Sequence, residues 1–312
     1  MTEKKIEEMR PVIIGVDHGY GNIKTAHKVF LTGVDRSDEE PVVSRNFIRY
    51  RDKYYVIGEN HMTYQGEKTD SDDFFILTLA AIAEELDVRG FCDANVILAA
   101  GLPLAWVSRQ KNEFRKYLMQ DIDPEFDFRG KHYRIHIGKV LIFPQGYAAV
   151  LHAGDMAGEN MLVDIGNGTM NVMRIVDRKP IEKSVATEKY GVSICMREIR
   201  GELSRLYAED VPESMIEPML RSGCAGRHDQ ISEKIRSVAT RYTEEIIRRL
   251  SIYGFREGLT KLYIIIGGGG CLLKNYSDIG GKEGVVFIDD ICANAKGFEY
   301  LAERKLELKG RR

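Results

Sequence analysis

The motifs V-D-H-G-Y-G at residues 16–21 and V-D-I-G-N-G at residues 163–168 decide the fold of this chain. Both have the form V-D-x-G-x-G, and each follows a short apolar run that is typical of a buried β-strand. A second strand is predicted after each turn, at residues 26–31 and at residues 171–176. Because the same strand–turn–strand unit occurs twice, we predict two homologous half-molecules.

The two turns have the composition of phosphate-binding loops. Residues without a Cβ allow several backbone N–H groups to converge on one phosphate, and neighbouring polar or cationic side chains add further donors. A single glycine-rich turn would be weak evidence, because most such turns are structural. The predicted phosphate-binding residues are Gly19, Tyr20, Gly21, Asn22 and Lys24 in the first turn and Gly166, Asn167, Gly168 and Thr169 in the second.

An aspartate, Asp17 or Asp164, ends the first strand of each hairpin. Mg²⁺ keeps several waters when it binds nucleotides, and carboxylates can hold those waters without coordinating the metal directly. We therefore predict that Asp17 and Asp164 hold a hydrated Mg²⁺ and take part in catalysis. The alternative is that each aspartate only stabilises its own turn through an Asx hydrogen bond.

A third glycine-rich segment follows the apolar strand predicted at residues 262–266. Successive glycines at a strand-to-helix junction would let the backbone lie flat against a base or ribose. We therefore add Gly267, Gly268, Gly269 and Gly270 to the predicted nucleotide site. The chain has no Walker motif, and its Asp-Gly turns lead into strands, which argues against a Rossmann dinucleotide site.

Periodicity predicts the elements between these motifs. A helix is predicted over residues 74–86 with one apolar face, and a long amphipathic helix over residues 231–252 whose apolar positions face the core. Two separate strands are predicted at residues 133–137 and 140–143. His132 and His136 alternate with apolar residues there, so we predict a strand and no metal site.

Composition excludes several classes of protein. With 312 residues the chain is long enough for two domains, and its net charge of -2 does not favour direct binding to nucleic acid. No apolar stretch approaches the roughly 20 residues that span a bilayer, so no membrane association is expected. The five cysteines are scattered and odd in number, which indicates reduced thiols in a cytoplasmic protein.

At these motifs the chain resembles the superfamily of actins, sugar kinases and heat-shock chaperones, and most closely the ParM/StbA plasmid-segregation actins. The resemblance implies an α/β, actin-like (ribonuclease H-like) duplicated two-domain fold with an interdomain nucleotide cleft. The similar segments cover the two phosphate loops, two connectors and an adenosine segment, at residues 15–24, 143–149, 162–172, 264–272 and 293–298. The implied domains are residues 1–152 with a small insertion at about 36–89, completed by a helix at about 292–312, and residues 153–291 with a helical insertion at about 200–237.

The same resemblance implies an ATPase that binds ATP and Mg²⁺, polymerises head to tail and segregates plasmid or other mobile DNA through a DNA-binding adaptor. Gln145 lies in the first connector, where ParM relatives usually have a glutamate and eukaryotic actin has a glutamine. Glutamine can orient a water but cannot accept its proton, so Gln145 is predicted to be catalytic only by positioning. The alternative is that Gln145 caps the helix that begins at Tyr147.

Two other functions remain open from the sequence. A small-molecule kinase of the same superfamily would need a base beside an acceptor, for which Asp72, Asp73 and Asp93 are candidates. A nucleotide-binding scaffold without useful hydrolysis would agree with the glutamine at position 145. His18, inside the first turn, is interpreted as shaping that turn and not as transferring a proton.

Overall fold

The computed structural model describes residues 3–59, 69, 71–153, 156–265 and 268–310. The strands are β1 (Val12–His18), β2 (Asn22–Lys24), β3 (Val29–Leu31), β4 (Val34–Ser37), β5 (Phe47–Tyr50), β6 (Lys53–Ile57), β7 (Asp93–Leu102), β8 (Glu125–Phe128), β9 (Lys131–Pro144), β10 (Glu159–Ile165), β11 (Met170–Val176), β12 (Lys179–Pro180), β13 (Ala186–Glu188), β14 (Lys261–Ile265) and β15 (Val285–Ile288). The α-helices are α1 (Glu3–Glu7), α2 (Asp73–Arg89), α3 (Val107–Leu118), α4 (Tyr147–Ala153), α5 (Val192–Tyr207), α6 (Glu213–Arg221), α7 (Gln230–Ile252), α8 (Gly268–Tyr276) and α9 (Ala293–Gly310).

The chain forms two compact units, Met1–His152 with Cys292–Arg312 and Ala153–Ile291. In the first unit the strands form one sheet in the order β3-β2-β1-β7-β9-β8-β5-β6-β4. The central strands β1, β7 and β9 are parallel, whereas β2 and β3 are antiparallel additions next to β1. The apolar sequence of β7 agrees with its central position, because a parallel strand is covered on both faces.

The second unit contains a sheet in the order β12-β11-β10-β14-β15, with β13 also paired to β11. Strands β10, β14 and β15 are parallel, and β11 is antiparallel to β10. This order and these directions repeat the order β3-β2-β1-β7-β9 of the first unit. The duplication predicted from the two motifs is therefore confirmed by the topology.

The two hairpins also have the same register. Asp17 lies opposite Lys24, and Asp164 lies opposite Asn171, so seven positions separate each pair. In both hairpins four residues connect the last paired residues of the two strands. The motif thus places each aspartate at the carboxyl end of the first strand of its sheet.

The helices cover the sheets largely as the periodicity predicts. The apolar positions of α7 are buried in the core of the second unit, which confirms the predicted amphipathic helix. The prediction of one apolar face for α2 is wrong, since Phe74–Leu86 is buried on all sides, including Glu84 and Glu85. Their carboxylates are stabilised inside the unit by cations, such as Arg129 on Glu84 and Arg89 on Glu85.

Within the described ranges, no helix combines the length and apolar character that a membrane crossing requires.

Two predicted strand boundaries are wrong. The chain returns from the first turn in β2, bends at residues 25–28 and only then forms β3, whereas one strand was predicted at residues 26–31. The bend is held by α2, where Glu85 accepts a hydrogen bond from the backbone N–H of His27 (2.9 Å). The strands predicted at residues 133–137 and 140–143 form the single strand β9, whose register shifts by one residue at Gly138. Strands β4 and β8 were not predicted.

Helix α9 lies unusually close to the first sheet. A Cβ on Gly15 in β1 would lie 2.1 Å from the carbonyl oxygen of Ala295, and a Cβ on Gly101 in β7 would lie 2.1 Å from the ring of Phe298. No real Cβ makes such contacts, so both strands need glycine where the helix crosses them. Packing of α9 against the sheet therefore determines two residues of the central strands.

Side chains bind the backbone N–H and C=O groups of β1 that do not pair with β2. Only the last two residues of β1, Asp17 and His18, pair with β2 in the described structure. Instead, Glu299 of α9 accepts a hydrogen bond from the Gly15 N–H (3.0 Å), and Arg89 of α2 donates to the carbonyl of Ile13 (2.9 Å). Arg89 and Glu299 also form an ion pair with an N–O distance of 2.9 Å. This pair supplies the hydrogen bonds that a neighbouring strand would otherwise make.

We expect two glycine substitutions to have opposite effects on stability. In Gly101→Ala the new methyl group overlaps the ring of Phe298, which should lower the free energy of unfolding by at least about 1–3 kcal/mol. In Gly201→Ala the new methyl group meets no atom within 4 Å. Because alanine favours the helix more than glycine does, this change in the interior of α5 should raise the free energy of unfolding by about 0.5–1 kcal/mol. Thermal unfolding followed by circular dichroism measures both, and equal midpoints would contradict the packing described for α9.

Candidate functional site

Asp17 is the centre of a polar cluster in the first unit. Its side chain is buried, with 2% of the residue exposed. One carboxylate oxygen, Oδ1, accepts a hydrogen bond from Gln145 Nε2 (2.7 Å). The other, Oδ2, accepts from Lys24 Nζ (3.2 Å) and from Asn294 Nδ2 (3.5 Å). The structure thus brings together three residues predicted from the sequence, Asp17, Lys24 and Gln145.

Backbone geometry places the predicted members of this cluster. Lys24 is opposite Asp17 in the β1–β2 pairing, so their side chains share one face of the hairpin. Gln145 follows the last residue of β9, and its backbone N–H donates to the carbonyl of Leu102 at the end of β7 (2.9 Å). The side-chain nitrogen of Gln145 donates to the Asp17 carboxylate. The amide is therefore oriented by a carboxylate.

Asn294 is a member of the cluster that sequence reasoning missed. The segment at residues 293–298 was interpreted as a connector, but no role was given to this side chain. Asn294 is 6% exposed in the first turn of α9, and its Oδ1 accepts a hydrogen bond from the Gly146 N–H (2.7 Å). The only signal in the sequence is a polar residue among small and apolar ones, which does not identify a partner 277 positions away.

The turn of the first hairpin is closed by its own backbone. The N–H of Gly19 points at the carbonyl oxygens of Asp17 and Asn22, each at 3.1 Å. A Cβ on Gly19 would lie 2.6 Å from the Asn22 oxygen, so the turn itself requires this glycine. Thr32 holds the turn from outside, donating its hydroxyl to Gly19 O (2.7 Å) and its N–H to Gly21 O (3.1 Å).

The side chains of His18 and Tyr20 point into the core below this turn. His18 is 1% exposed, and its Nε2 lies 2.7 Å from the hydroxyl of Thr78. Because that hydroxyl donates to the carbonyl of Phe74, it accepts from the Nε2–H of His18. Tyr20 packs edge-on against Phe74 at a centroid distance of 5.9 Å. His18 thus supports the turn as interpreted, and any phosphate contact of Tyr20 is left to its main chain.

The second hairpin carries a different partner for its aspartate. Asp164 is half-buried, and the residue opposite it is the neutral Asn171. The Asn171 Oδ1 accepts a hydrogen bond from the Thr187 hydroxyl on β13 (2.8 Å). Asn171 occupies the position that Lys24 has in the first hairpin. The two hairpins therefore have the same backbone register but differ by the positive charge of Lys24.

The start of helix α5 supports the second turn. The N–H of Gly166 donates to the carbonyl of Thr169 (2.9 Å), which closes the turn. The first two N–H groups of α5 donate to the carbonyls of Gly166 and Asn167, each at 3.0 Å. A Cβ on Gly191, just before α5, would lie 2.2 Å from the Asn167 oxygen. The turn is therefore fixed from below by a helix terminus.

Packing within the described structure does not explain why residue 166 is a glycine. The nearest atom to a Cβ built on it is the Thr169 oxygen at 3.8 Å, which is an ordinary contact, and its φ is not in the left-handed region. Within the described residues, nothing in the protein requires a glycine at this position. A ligand that approaches the backbone of the turn would explain it, and this fits the predicted phosphate site.

The third glycine segment is the junction between β14 and α8. Gly267 lies outside the described residues, whereas Gly268, Gly269 and Gly270 form the first turn of α8. A Cβ on Gly269 would lie 2.2 Å from Cγ2 of Ile165 at the end of β10. Gly269 is therefore needed to pack the helix on the second hairpin. The first-turn N–H groups of a helix have no partner within the helix, and they face an anion or a polar ligand readily.

Among the residues that the structure describes, no group of three His, Cys, Asp or Glu side chains is placed to bind a metal directly. His132 and His136 lie on β9, as predicted, and each contacts an aspartate, Asp127 and Asp123 respectively.

Two of the three carboxylates considered as kinase bases have arginine partners. Asp73 at the start of α2 accepts from Arg36 (2.9 Å), and Asp93 accepts two hydrogen bonds from the guanidinium of Arg134 (2.7 and 2.8 Å). Asp72 is exposed. Two of the three candidate carboxylates are therefore already held by arginine side chains of their own unit.

The architecture matches that of known proteins. Residues 15–147 match the family model of the N-terminal domain of actin-like proteins. The fold matches the crystal structure of Ta0583, an archaeal actin homologue, with a TM-score of 0.77 and 18% identity over 94% of this chain and 99% of that one. The chain has an actin-like fold. The matched N-terminal domain contains Asp17, Lys24 and Gln145, three of the four clustered side chains.

Two ParM structures also match this fold. Apo pSK41 ParM matches with a TM-score of 0.71 and 17% identity over 96% of this chain and 99% of that one. Bacillus thuringiensis ParM with ATP matches with a TM-score of 0.70 and 15% identity over 96% and 100%. In a sequence search, no curated protein matches the chain. The fold implied by the motifs is therefore confirmed at identities below 20%.

Proposed function

We propose that this actin-like chain binds ATP and Mg²⁺ through its two acidic hairpins, hydrolyses the nucleotide and assembles into filaments that the nucleotide controls. The observation that carries the proposal is the buried cluster in which Lys24 and Gln145 converge on Asp17 at the end of β1. Two structures with the same fold support it, because archaeal Ta0583 is found in complex with ADP and Bacillus thuringiensis ParM with ATP.

The chain's own residues have distinct parts in this proposal. The turn amides bind the phosphates, and Lys24 adds a positive charge next to them. Gln145 is held through its Nε2 by Asp17, which leaves its carbonyl oxygen to orient a water for in-line attack. A glutamine cannot take the proton of that water, so it positions and does not act as a base. Bound Mg²⁺ supplies charge neutralisation of the phosphates.

We expect Gly166→Ala to separate nucleotide binding from folding. The methyl group fits the protein, but it occupies the space through which a phosphate would approach the turn. The apparent Kd for a fluorescent ATP analogue should rise at least about tenfold, equivalent to about 1.4 kcal/mol, with an unchanged unfolding midpoint. Gly281→Ala, in which the new methyl group meets no atom within 4 Å, is the control. Wild-type affinity in Gly166→Ala would remove this turn from the proposed site.

Asp164 tests the proposed metal role. Asp164→Asn keeps the shape of the side chain but removes the charge that would hold the hydrated ion. Phosphate release in the presence of ATP and Mg²⁺ should slow at least about tenfold while the fold stays intact. Asp52→Asn, at a side chain that is 95% exposed, is a control for the loss of one carboxylate. Normal turnover in the Asp164 variant would show that the aspartate serves only its own turn.

An exposed apolar pair supports self-association. Val42 and Val43 lie between β4 and β5 and are 98% and 96% exposed. Two adjacent apolar side chains in water are unfavourable in an isolated subunit, and they gain free energy if another surface covers them. A contact between this loop and a different surface of a second copy is heterologous, and it extends into a filament where the rotation between successive copies does not close a ring. Filament structures with this fold, such as that of Alp12, are known.

We expect assembly to depend on both the nucleotide and this loop. Light scattering of the wild-type chain should rise with ATP and Mg²⁺ and stay low with ADP or without nucleotide. The double variant Val42→Glu, Val43→Glu should need several times more protein to assemble, because charges oppose burial of the loop, while ATP binding is retained. Val88→Glu, at a half-exposed valine of α2, is the control. Assembly that ignores the nucleotide would contradict the proposal.

We also propose that the filaments segregate plasmid or other mobile DNA in the cytoplasm. The similarity in fold to ParM proteins supports this role. The net charge of -2 favours an adaptor protein over direct contact with DNA. The five free cysteines agree with a reducing compartment.

A further inference from the structure

The two chain segments that join the units touch each other inside the first unit. The chain leaves this unit after His152, at the end of α4, and re-enters it at Cys292, just before α9. A Cβ on Gly297 of α9 would lie 2.4–2.5 Å from the backbone of Ala148 in α4, so the helices are in direct contact. One helical turn earlier, Asn294 binds the residue that precedes α4, Gly146. The exit and the entry of the first unit therefore meet next to Asp17.

The orientation of the Asn294 amide follows from this contact. Only the side-chain oxygen of Asn294 can accept a hydrogen bond from the Gly146 N–H, and the two atoms are 2.7 Å apart. The side-chain nitrogen must then face Asp17, whose Oδ2 lies 3.5 Å away. Gly146 has a φ of 79°, so the backbone is left-handed directly after Gln145 and before α4 begins. Asn294 thus contacts both the carboxylate of the site and the backbone turn that carries Gln145.

We propose that Asn294 is a positioning residue, which fixes Asp17 relative to Gln145 by bridging the Asp17 carboxylate and the Gly146 N–H. This inference rests on the proposed nucleotide hydrolysis. Asn294 itself does not touch the reacting atoms. It acts through Asp17, whose other oxygen orients the Gln145 amide (2.7 Å).

Only an amide meets both demands of this position. Gly146 needs an acceptor and Asp17 needs a donor, and a side-chain amide has one of each at neighbouring atoms. An aspartate would keep the acceptor but place an oxygen against the Asp17 oxygen. The charged groups nearby do not replace the donor. Lys24 already binds the same oxygen, and Glu299, further along α9, is bound to the Gly15 N–H and to Arg89.

The test compares Asn294→Asp with Asn294→Ala in the full chain. Asn294→Asp retains the acceptor for Gly146 but replaces the donor to Asp17 by a carboxylate oxygen. We expect its kcat for ATP to fall at least about tenfold, with a much smaller change in KM. Asn294→Ala should lower kcat similarly and also lower the unfolding midpoint, since the buried Gly146 N–H loses its acceptor. Asn112→Asp, an exposed position on α3, is the matched control and should behave as wild type.

A wild-type kcat in Asn294→Asp would overturn the proposal, because Asn294 would then only anchor Gly146. A change confined to KM would also overturn it, since it would place Asn294 in contact with the nucleotide. If the wild-type chain shows no turnover with ATP, the proposed function itself fails.

A second measurement needs no nucleotide. Unfolding midpoints of Asn294→Asp, Asp17→Asn and the double variant form a cycle. The double variant exchanges the amide and the carboxylate and restores a donor–acceptor pair. We expect it to unfold at a higher temperature than Asn294→Asp alone. Strictly additive shifts would show that the two side chains are not coupled, and this would overturn the bridge independently of any activity.

Discussion

The proposed site of the first unit depends on how closely α9 lies against β1. Gly15 leaves room for the backbone of Ala295, and a Cβ there would approach a carbonyl oxygen to 2.1 Å. Asn294 is the residue just before this contact, so its reach to Asp17 is set by the same approach. If a methyl group at position 15 pushed α9 away from β1, the 3.5 Å contact between Asn294 Nδ2 and Asp17 Oδ2 would lengthen beyond hydrogen-bonding distance. Close helix–strand packing, and not a flexible loop, thus orients the buried carboxylate.

Burial of charge beside this contact is balanced by specific partners. Burial raises the pKa of Glu299, and the Gly15 N–H and Arg89 oppose that rise. Asp17 is almost completely buried, and one cation and two amide nitrogens stabilise it. A buried ion that loses its partner destabilises a protein by about 3–5 kcal/mol, so both carboxylates require the elements that bring those partners. The fold of the first unit and its polar cluster are therefore not separable.

The sequence predicts the local part of this arrangement well. The motif at residues 16–21 and its repeat specify hairpins with equal registers, because glycine turns and strand alternation act over a few residues. What it cannot predict depends on distant partners. The Gly15–Glu299 bond joins residues 284 positions apart, and neither Asn294 nor the packing role of Gly269 has a local signature. The boundary between β2 and β3 was missed for the same reason, since a carboxylate of α2 sets it.

The difference between the hairpins argues for a division of roles. Residues 16–24 contain one aspartate and one lysine, whereas residues 163–171 contain one aspartate and no cation. The first hairpin is therefore locally neutral and the second locally negative. A cationic side chain next to the turn favours phosphate oxygens, whereas a carboxylate without a neighbouring lysine in its hairpin favours a hydrated cation. Under the proposed function, the first hairpin would then favour phosphate oxygens and the second a hydrated cation, and an exchange of Lys24 and Asn171 between them would interchange those preferences.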